Sequence, residues 1–109
     1  MLGDGVRRIC STWGLAVVRG RSMQPTLYDG DRLLVRHGAS PRVGDLVVVR
    51  LPDGVVAVKR VTAREPTGWW VERDNPAEGV DSWVVGAIPD ADLIAVVRAR
   101  LRPLRRGRR

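Results

Sequence analysis

The sequence predicts an all-β fold, a small antiparallel coiled sheet or barrel within a single domain. Three observations lead to this prediction. The chain has 109 residues, 44% of them hydrophobic, which is enough for one core and too few for two. Its apolar residues alternate with polar ones in short segments separated by turns that contain glycine or proline. No window shows a sustained apolar period of about 3.6 residues, the pattern of an amphipathic helix.

The predicted strands follow one another at the short spacing typical of small β structures. Alternation and β-branched residues place them at Leu15–Val18, Asp31–Arg36, Asp45–Leu51, Val55–Thr62, Trp69–Arg73 and Leu93–Leu101. The turn signal Pro52-Asp53-Gly54 predicts a hairpin between the third and fourth strands. In the fourth strand, alternation places Lys59 on one face with Ala57 and Val61. We expect a single domain over residues 1–102 and a disordered basic tail over residues 103–109.

The net charge of +7 comes from the C-terminal end of the chain. Seven arginines and no acidic residue lie within Arg98–Arg109, and the other 97 residues carry 12 basic and 12 acidic side chains. A block of like charge at a terminus is typical of a solvated tail, so no specific nucleic acid partner is expected. A weak contact of this tail with an anionic membrane is an open alternative.

The cysteine and histidine counts exclude several kinds of site. One cysteine, Cys10, excludes a disulfide framework and an all-cysteine metal site. One histidine, His37, excludes a histidine-pair zinc site, and its place at the end of a strand makes it a poor base for a serine. No metal and no organic cofactor is expected. No apolar run reaches the roughly 20 residues of a spanning helix and no secretory signal is recognisable, so a cytoplasmic protein is expected.

Lys59 and Ser22 are the residues with the clearest chemical potential. Lys59 is the only lysine among 19 basic residues. Arginine keeps its proton in a protein, whereas a lysine on an apolar strand face can lose it. Ser22 lies in a turn directly after a strand, between Gly20 and Pro25, where free backbone N–H groups can bind an oxyanion. A neutral lysine can serve as the base for such a serine. The ordinary alternatives are a lysine that extends to water and a turn serine.

Five segments resemble, in order, the sequence boxes of the signal peptidase I superfamily of Ser-Lys proteases, the S26 type. They are S-M-x-P-T-L at Ser22–Leu27, G-D-[IV]-V near Gly44–Val48, K-R-V at Lys59–Val61, the D-N and D-S pairs Asp74-Asn75 and Asp81-Ser82, and G-x-[VI]-P at Gly86–Pro89. The resemblance runs from about residue 14 to residue 97. It implies the antiparallel sheet of the signal peptidase I catalytic core.

The resemblance also implies a serine endopeptidase mechanism. Neutral Lys59 takes the proton of Ser22, whose oxygen attacks a peptide carbonyl, and water then hydrolyses the acyl-enzyme. The family cleaves extended substrates after small residues at the first and third positions before the cut. Support of the oxyanion and the substrate groove is implied for Gly20, Met23 and Pro25, with Met23 as an apolar wall near the lysine. Structural support of the site is implied for Arg60, Asp74, Asn75, Asp81 and Ser82.

The chain differs from the family pattern at residues that bind the oxyanion and orient the lysine. Gly20 stands where many members have a serine, so the backbone alone is expected to stabilise the oxyanion. Gly79 stands where the family has the serine that orients the lysine amine. Ser82 is expected to take over that hydrogen bond to Lys59.

Two further differences concern Asp81. Trp83 stands where the family has an arginine, and Arg73 stands where it has the glycine of the G-D-N box. We therefore expect that the usual Asp–Arg pair does not form around Asp81.

Within the superfamily, the compact form and the segment Gly68–Pro76 resemble the nickel-type superoxide dismutase maturation proteases. This resemblance implies removal of an N-terminal leader from a precursor protein. The precursor of nickel superoxide dismutase is then the expected protein partner, and nickel belongs to that substrate.

Three other interpretations stay open. A signal peptidase I-like enzyme would cleave exported preproteins at the membrane surface, where the arginine tail would make the protein peripheral. A self-cleaving repressor needs an N-terminal DNA-binding domain, for which residues 1–13 leave no room. A non-catalytic basic β module would bind nucleic acid, with Trp69, Trp70 and Trp83 as stacking platforms, although packing of these rings in the core and groove is the simpler explanation.

Overall fold

The computed structural model describes residues 7–8 and 12–101. Within these residues, seven strands form one antiparallel sheet of order β1-β2-β3-β7-β4-β5-β6. Their bounds are Arg7–Arg8 for β1, Trp13–Val17 for β2, Arg32–His37 for β3, Leu46–Arg50 for β4, Val56–Glu65 for β5, Gly68–Glu72 for β6 and Leu93–Leu101 for β7. A four-residue helix α1, Ser82–Val85, and a 3-10 turn, Asp90–Asp92, complete the elements. The predicted all-β fold is confirmed.

All six predicted strands occur, with small shifts at their ends. β7 has the predicted bounds, and β5 continues three residues past the predicted end to Glu65. The continuation exists because β5 and β6 pair on both sides of an irregularity between Val61 and Ala63. The strand β1, which pairs Arg7 with Leu15, and the helix α1 were not predicted.

The core lies on both faces of the sheet, in two apolar clusters. The first contains Ala16, Val18, Met23, Leu27, Leu33, Val35, Val48, Val58 and Ala95. The second contains Val47, Val49, Leu51, Ala57, Val61, Val71, Ile88 and Val96. Neighbours along β4 and β5 go to opposite clusters because successive side chains in a strand point to opposite faces. A sheet of about a hundred residues with apolar groups on both faces must coil over itself to bury them.

The predicted hairpin turn between β4 and β5 is confirmed. The Leu51 N–H donates to Val55 O at 2.8 Å, and the Gly54 N–H donates to Leu51 O at 2.8 Å. The Asp53 carboxylate accepts from the Val55 N–H at 3.0 Å, as aspartate does in tight turns. This turn fixes the register of β5, and with it the position of Lys59 opposite Val47.

Three segments bring the candidate site residues together. The loop between β2 and β3 carries Ser22, the middle of β5 carries Lys59, and the connection from β6 to α1 carries residues 73–81. No helix in the described part of the chain is both long and apolar enough to cross a membrane. Cys10 and the predicted tail, residues 103–109, lie outside the described residues.

Candidate active site

The loop between β2 and β3 holds Ser22 at the end of a closed turn. Backbone hydrogen bonds of 2.8 Å from Val18 N–H to Asp31 O and from Gly30 N–H to Val18 O close the base of this loop. Close to this base, the Gly20 N–H donates to the Asp29 carboxylate at 2.8 Å. Ser22 is only 9% exposed, and it lines a cavity described below.

The Lys59 amine lies next to the Ser22 hydroxyl. Lys59 Nζ is 3.4 Å from Ser22 Oγ, and Lys59 is 2% exposed. As predicted, Lys59 shares its strand face with Ala57 and Val61, which belong to the second cluster. Burial lowers the pKa of Lys59 from its ordinary value, Asp81 raises it in part, and Arg73 lowers it further. The pair therefore consists of a hydroxyl and an amine that burial drives toward its neutral form.

An open cavity of about 440 Å³ ends at this pair. Most of its wall is apolar, and it is lined by Arg19, Gly20, Arg21, Ser22, Leu51, Pro52, Asp53, Val55, Ala57, Lys59, Glu78, Gly79, Val80 and Val85. The backbone N–H of Ser22 makes no hydrogen bond within residues 12–101. A free N–H next to the Ser22 hydroxyl can donate a hydrogen bond to an anionic oxygen bound in the cavity.

Three residues predicted to support the oxyanion and groove lie in different places. Gly20 lines the cavity beside Ser22. Met23 is buried in the first cluster, and its sulfur lies 3.4 Å from the Asp74 backbone nitrogen, so Met23 anchors the loop from within the core. Pro25 follows a cis peptide bond, is exposed and is not among the residues of the cavity wall.

Asn75 fastens the serine turn to the segment after β6. Its backbone N–H donates to Ser22 O at 2.8 Å, and its side-chain amide donates to Arg21 O at 2.9 Å. Its carboxamide oxygen also accepts from the Ala77 N–H at 3.0 Å. These bonds hold the backbone on both sides of Ser22.

Asp74 extends this support to β5. Its carboxylate accepts two bonds from Arg60, at 2.9 and 2.8 Å, and one from the Thr26 hydroxyl at 2.6 Å. Burial raises the pKa of Asp74, but the bonds from Arg60 and Thr26 outweigh it and hold that pKa below its ordinary value. Arg60 also donates to Gly44 O at 2.8 Å. The residue after the lysine is thus tied to the loop that carries the serine, and sequence reasoning missed the part of Thr26.

Gly79 lies against both members of the pair. A Cβ at this glycine would be 2.5 Å from Ser22 Cβ and 3.4 Å from Lys59 Nζ, and its φ is +94°. The family serine assigned to this position would therefore reach the amine. In this chain the space holds no side chain.

The expected hydrogen bond from Ser82 to Lys59 does not form in this structure. Ser82 Oγ accepts from the Val71 N–H at 2.9 Å, and Ser82 is 1% exposed at the start of α1. Among the described residues, the only hydrogen-bond partner of Lys59 Nζ is Ser22 Oγ. Ser82 joins α1 to the outer edge of β6, where the Trp69 N–H donates to Ile88 O and the Val71 N–H donates to the Ser82 hydroxyl.

The usual Asp–Arg pair, with the arginine at position 83, is absent as expected, but a different arginine, Arg73, pairs with Asp81. Arg73 Nη1 lies 3.1 Å from Asp81 Oδ2, and the Asp81 side chain is 4% exposed. The same oxygen accepts from the Arg73 backbone N–H at 3.2 Å, and Asp81 Oδ1 caps α1 through the Trp83 N–H at 3.1 Å. The arginine comes from the end of β6 instead of the position after the D-S pair. The sequence shows an arginine at position 73 and none at position 83, but the pairing itself depends on how the connection from β6 to α1 folds back.

The tryptophans have protein partners. The Arg64 guanidinium lies 4.6 Å from the centre of the Trp69 ring, and Trp69 packs on the second cluster. Trp70 and Trp83 meet edge to face with ring centres 5.3 Å apart, and the Trp83 indole N–H donates to Glu72 at 2.8 Å. Trp83 stays 74% exposed.

His37 and metal-binding clusters do not contribute to the site in the described residues. His37 is buried at the end of β3 and is not part of the cavity wall. No group of three or more histidine, cysteine, aspartate or glutamate residues among the described residues is arranged to bind a metal ion.

The comparison with protein families agrees with this geometry. The family model described as Peptidase S24-like matches residues 10–98, which is most of the chain. The chain belongs to the Peptidase S24-like family, and a function of the serine peptidase type follows. The superfamily predicted from the motifs is confirmed, since this family and signal peptidase I belong to one superfamily. No curated protein matches the chain.

Proposed function

We propose that this protein is a serine endopeptidase in which Ser22 is the nucleophile and Lys59 the general base. The observation that carries the proposal is the 3.4 Å approach of the buried Lys59 amine to the Ser22 hydroxyl at the end of an open cavity. A hydroxyl needs a base within reach to become a nucleophile, and catalytic hydrogen bonds are often long in a free enzyme and shorter in its substrate complex.

The proposed reaction has two stages. The neutral Lys59 amine accepts the Ser22 proton while Ser22 Oγ attacks the peptide carbonyl, and the Ser22 N–H stabilises the resulting oxyanion. The protonated lysine then gives its proton to the departing amine, which leaves an acyl-enzyme. A water molecule that loses a proton to Lys59 hydrolyses this ester and restores the serine.

The proposal fixes the pH dependence of cleavage. Burial lowers the pKa of Lys59, so its amine stays neutral at a lower pH than an exposed lysine does. As the pH falls through this lowered pKa, the amine takes up a proton and can no longer accept one from Ser22. We therefore expect kcat/KM to fall on the acid side, with a midpoint below the ordinary lysine value of 10.5.

For the substrate, we propose a precursor protein from which the enzyme removes an N-terminal leader, with the nickel superoxide dismutase precursor as the candidate. The apolar cavity beside Ser22 suits an extended peptide with small side chains. The choice of precursor rests on the resemblance of Gly68–Pro76 described above. A cytoplasmic location is part of the same proposal, because such a precursor would be processed where it is made.

Intact-mass analysis of the nickel superoxide dismutase precursor after incubation with the protein tests the proposal. Wild-type protein is expected to cut one bond, and Ser22→Ala or Lys59→Met to lower the rate at least about 1,000-fold. Ser40→Ala is the matched control, since Ser40 is exposed and does not line the cavity. Cleavage that survives Ser22→Ala contradicts the assigned nucleophile.

The alternative functions predict different results with the same set of variants. Cleavage only of signal-peptide substrates, with salt-sensitive binding to anionic vesicles, would favour the peripheral signal peptidase. A shortened mass of the protein itself would indicate self-cleavage. Nucleic acid binding that survives Ser22→Ala and falls steeply with salt, without any cleavage, would favour the binding module.

A further inference from the structure

Arg73 lies beside the catalytic pair without touching it. Its side chain follows the end of β6, and its Cδ lies 3.5 Å from the point where a Cβ at Gly79 would be. Lys59 Nζ lies 3.4 Å from that same point. The arginine stem and the lysine amine therefore both lie close to the Cβ position of Gly79.

The guanidinium of Arg73 is directed to Asp81. Nη1 lies 3.1 Å from Asp81 Oδ2, and Nη2 donates to Pro76 O at 3.0 Å. The Asp81 side chain is 4% exposed, so its negative charge is costly unless a cation balances it. The other buried cation-forming group near this carboxylate is the Lys59 amine.

We propose that Arg73 is a positioning residue for the Ser22–Lys59 pair: it balances the buried Asp81 carboxylate, which would otherwise hold Lys59 as an ammonium ion unable to accept the serine proton. The inference rests on the proposed function, in which Lys59 is the base. In this chain, Gly79 and Trp83 stand where the family has a serine and an arginine. The inference assigns the control of the charge on Lys59 to Arg73, which directly follows β6.

The electrostatics of the site support this assignment. After burial, the two largest influences on the pKa of Lys59 are Asp81, which raises it, and Arg73, which lowers it. Removal of Arg73 takes away a lowering influence and leaves Asp81 without its partner. Both changes act in the same direction and favour the charged form of the amine.

The other charged groups around Lys59 are more exposed or already paired. Arg60, the next residue on β5, points to the opposite face and binds Asp74. The cavity wall carries Arg19, Arg21, Asp53 and Glu78, which are exposed and whose fields water and salt screen. The Arg73–Asp81 pair, in which the carboxylate is buried and the arginine partly buried, is therefore the charge pair that acts most directly on Lys59.

The single lysine makes a direct test feasible. In protein labelled with carbon-13 at the lysine ε-carbon, NMR shows one side-chain signal, and its titration gives the pKa of Lys59 without any substrate. Arg73→Met, which keeps the stem and removes the charge, is expected to raise this pKa by about one pH unit. Arg64→Met is the matched control, because Arg64 forms an exposed ion pair with Asp90, and it is expected to leave the titration unchanged.

Asp81→Asn supplies the second measurement. Asparagine keeps the oxygen that caps α1, and loss of the carboxylate charge is expected to lower the Lys59 pKa. The double variant Arg73→Met/Asp81→Asn is expected to return the titration close to that of the wild type. The titrations of Asp81→Asn and of the double variant test the inference even if Arg73→Met alone does not fold. An unchanged titration in Arg73→Met and in Asp81→Asn, or an equal shift in Arg64→Met, overturns the inference.

The NMR titration of Lys59 can be interpreted whether or not the precursor is cleaved. A shifted titration with no cleavage of any substrate would contradict the proposed function and leave the electrostatic role of Arg73 in place. Cleavage that depends on Ser22 and Lys59, with a titration that ignores Arg73, would support the function and remove the inference. With a cleaved substrate, the acid limb of kcat/KM in Arg73→Met is expected to move in parallel with the NMR titration.

Discussion

At the scale of single residues, Gly79 shows how little room there is beside Ser22 and Lys59. The serine that the family resemblance places here would restore a hydroxyl near Lys59. Its Cβ, however, would lie 2.5 Å from Ser22 Cβ, and the backbone at φ +94° disfavours any side chain. We expect Gly79→Ser to lower kcat/KM about 10- to 100-fold, because the nucleophile must move.

Gly30→Ser is the control for this variant. Gly30 has nearly the same backbone angle, φ +91°, and nothing lies within 4 Å of an added Cβ. Gly30→Ser introduces the same backbone strain, about 1 kcal/mol, without displacing Ser22. Equal activity of the two variants, measured with the same precursor, would show that the contact with Ser22 is unimportant.

The sequence was informative about single residues where chemistry restricts the choice. A lone lysine among arginines and a serine after a strand end were enough to suggest the pair, and the motif order strengthened the prediction. Arg73 was not recognisable as a partner of Asp81, because the pair depends on how the connection from β6 to α1 folds back. The contact of Thr26 with Asp74 was missed for the same reason, since 48 residues separate them.

At the scale of elements, α1 depends on one buried hydroxyl. Ser82 Oγ accepts the outward N–H of Val71 on β6 and so holds the helix to the sheet edge. We expect Ser82→Ala to lower the free energy of unfolding by about 1–3 kcal/mol, because the Val71 N–H loses its acceptor. Denaturant unfolding of this variant beside Ser40→Ala measures the loss.

The Ser82→Ala variant also tests whether Ser82 only stabilises the fold or also acts on Lys59. Ser82 makes no hydrogen bond to Lys59, so the NMR titration of the lysine is expected to stay as in the wild type. A Ser82→Ala protein of full stability with a shifted Lys59 titration would restore the role that the sequence suggested.

Strands were predictable here and the helix was not, for a physical reason. Each strand is long enough to show alternation, and β-branched residues fill the faces that pack. The four residues of α1 are fewer than the number needed for a helical period, and the helix exists because Asp81 and Ser82 satisfy its ends and the neighbouring strand edge. The two-residue strand β1 is likewise too short to leave a pattern.

At the scale of the whole molecule, β7 joins the two parts of the sheet. It pairs with β3 on one side and β4 on the other, and Val96 faces Arg36 on β3 and Val47 on β4. Val96 is completely buried in the second cluster. We expect Val96→Ala to cost about 2–3 kcal/mol of unfolding free energy, from lost burial and the cavity left behind.

Val84→Ala is the matched control, because Val84 is 72% exposed on α1. It is expected to change stability by less than about 0.5 kcal/mol. Thermal unfolding of both variants provides the comparison. If the two cost the same, β7 does not hold the sheet together as the pairing suggests.

The strand order could not be read from the sequence. Alternation says which residues face a core, but not which strand lies beside which. The predicted hairpin was the exception, since its turn brings β4 and β5 together directly. The neighbours of β7 are distant in sequence, and only packing of both apolar faces selects them.

Because β7 lies in the middle of the sheet, the sheet cannot be completed until β7 has been synthesised. A ribosome delivers the chain from its N-terminus at about 5–20 residues per second, so β1 to β6 emerge before the strand that must lie among them. Until Leu93–Leu101 has been made, β3 and β4 have no common neighbour. The nascent chain therefore carries both Ser22 and Lys59 in an incomplete sheet, and proteolytic capacity arises in one late step of synthesis instead of growing with chain length.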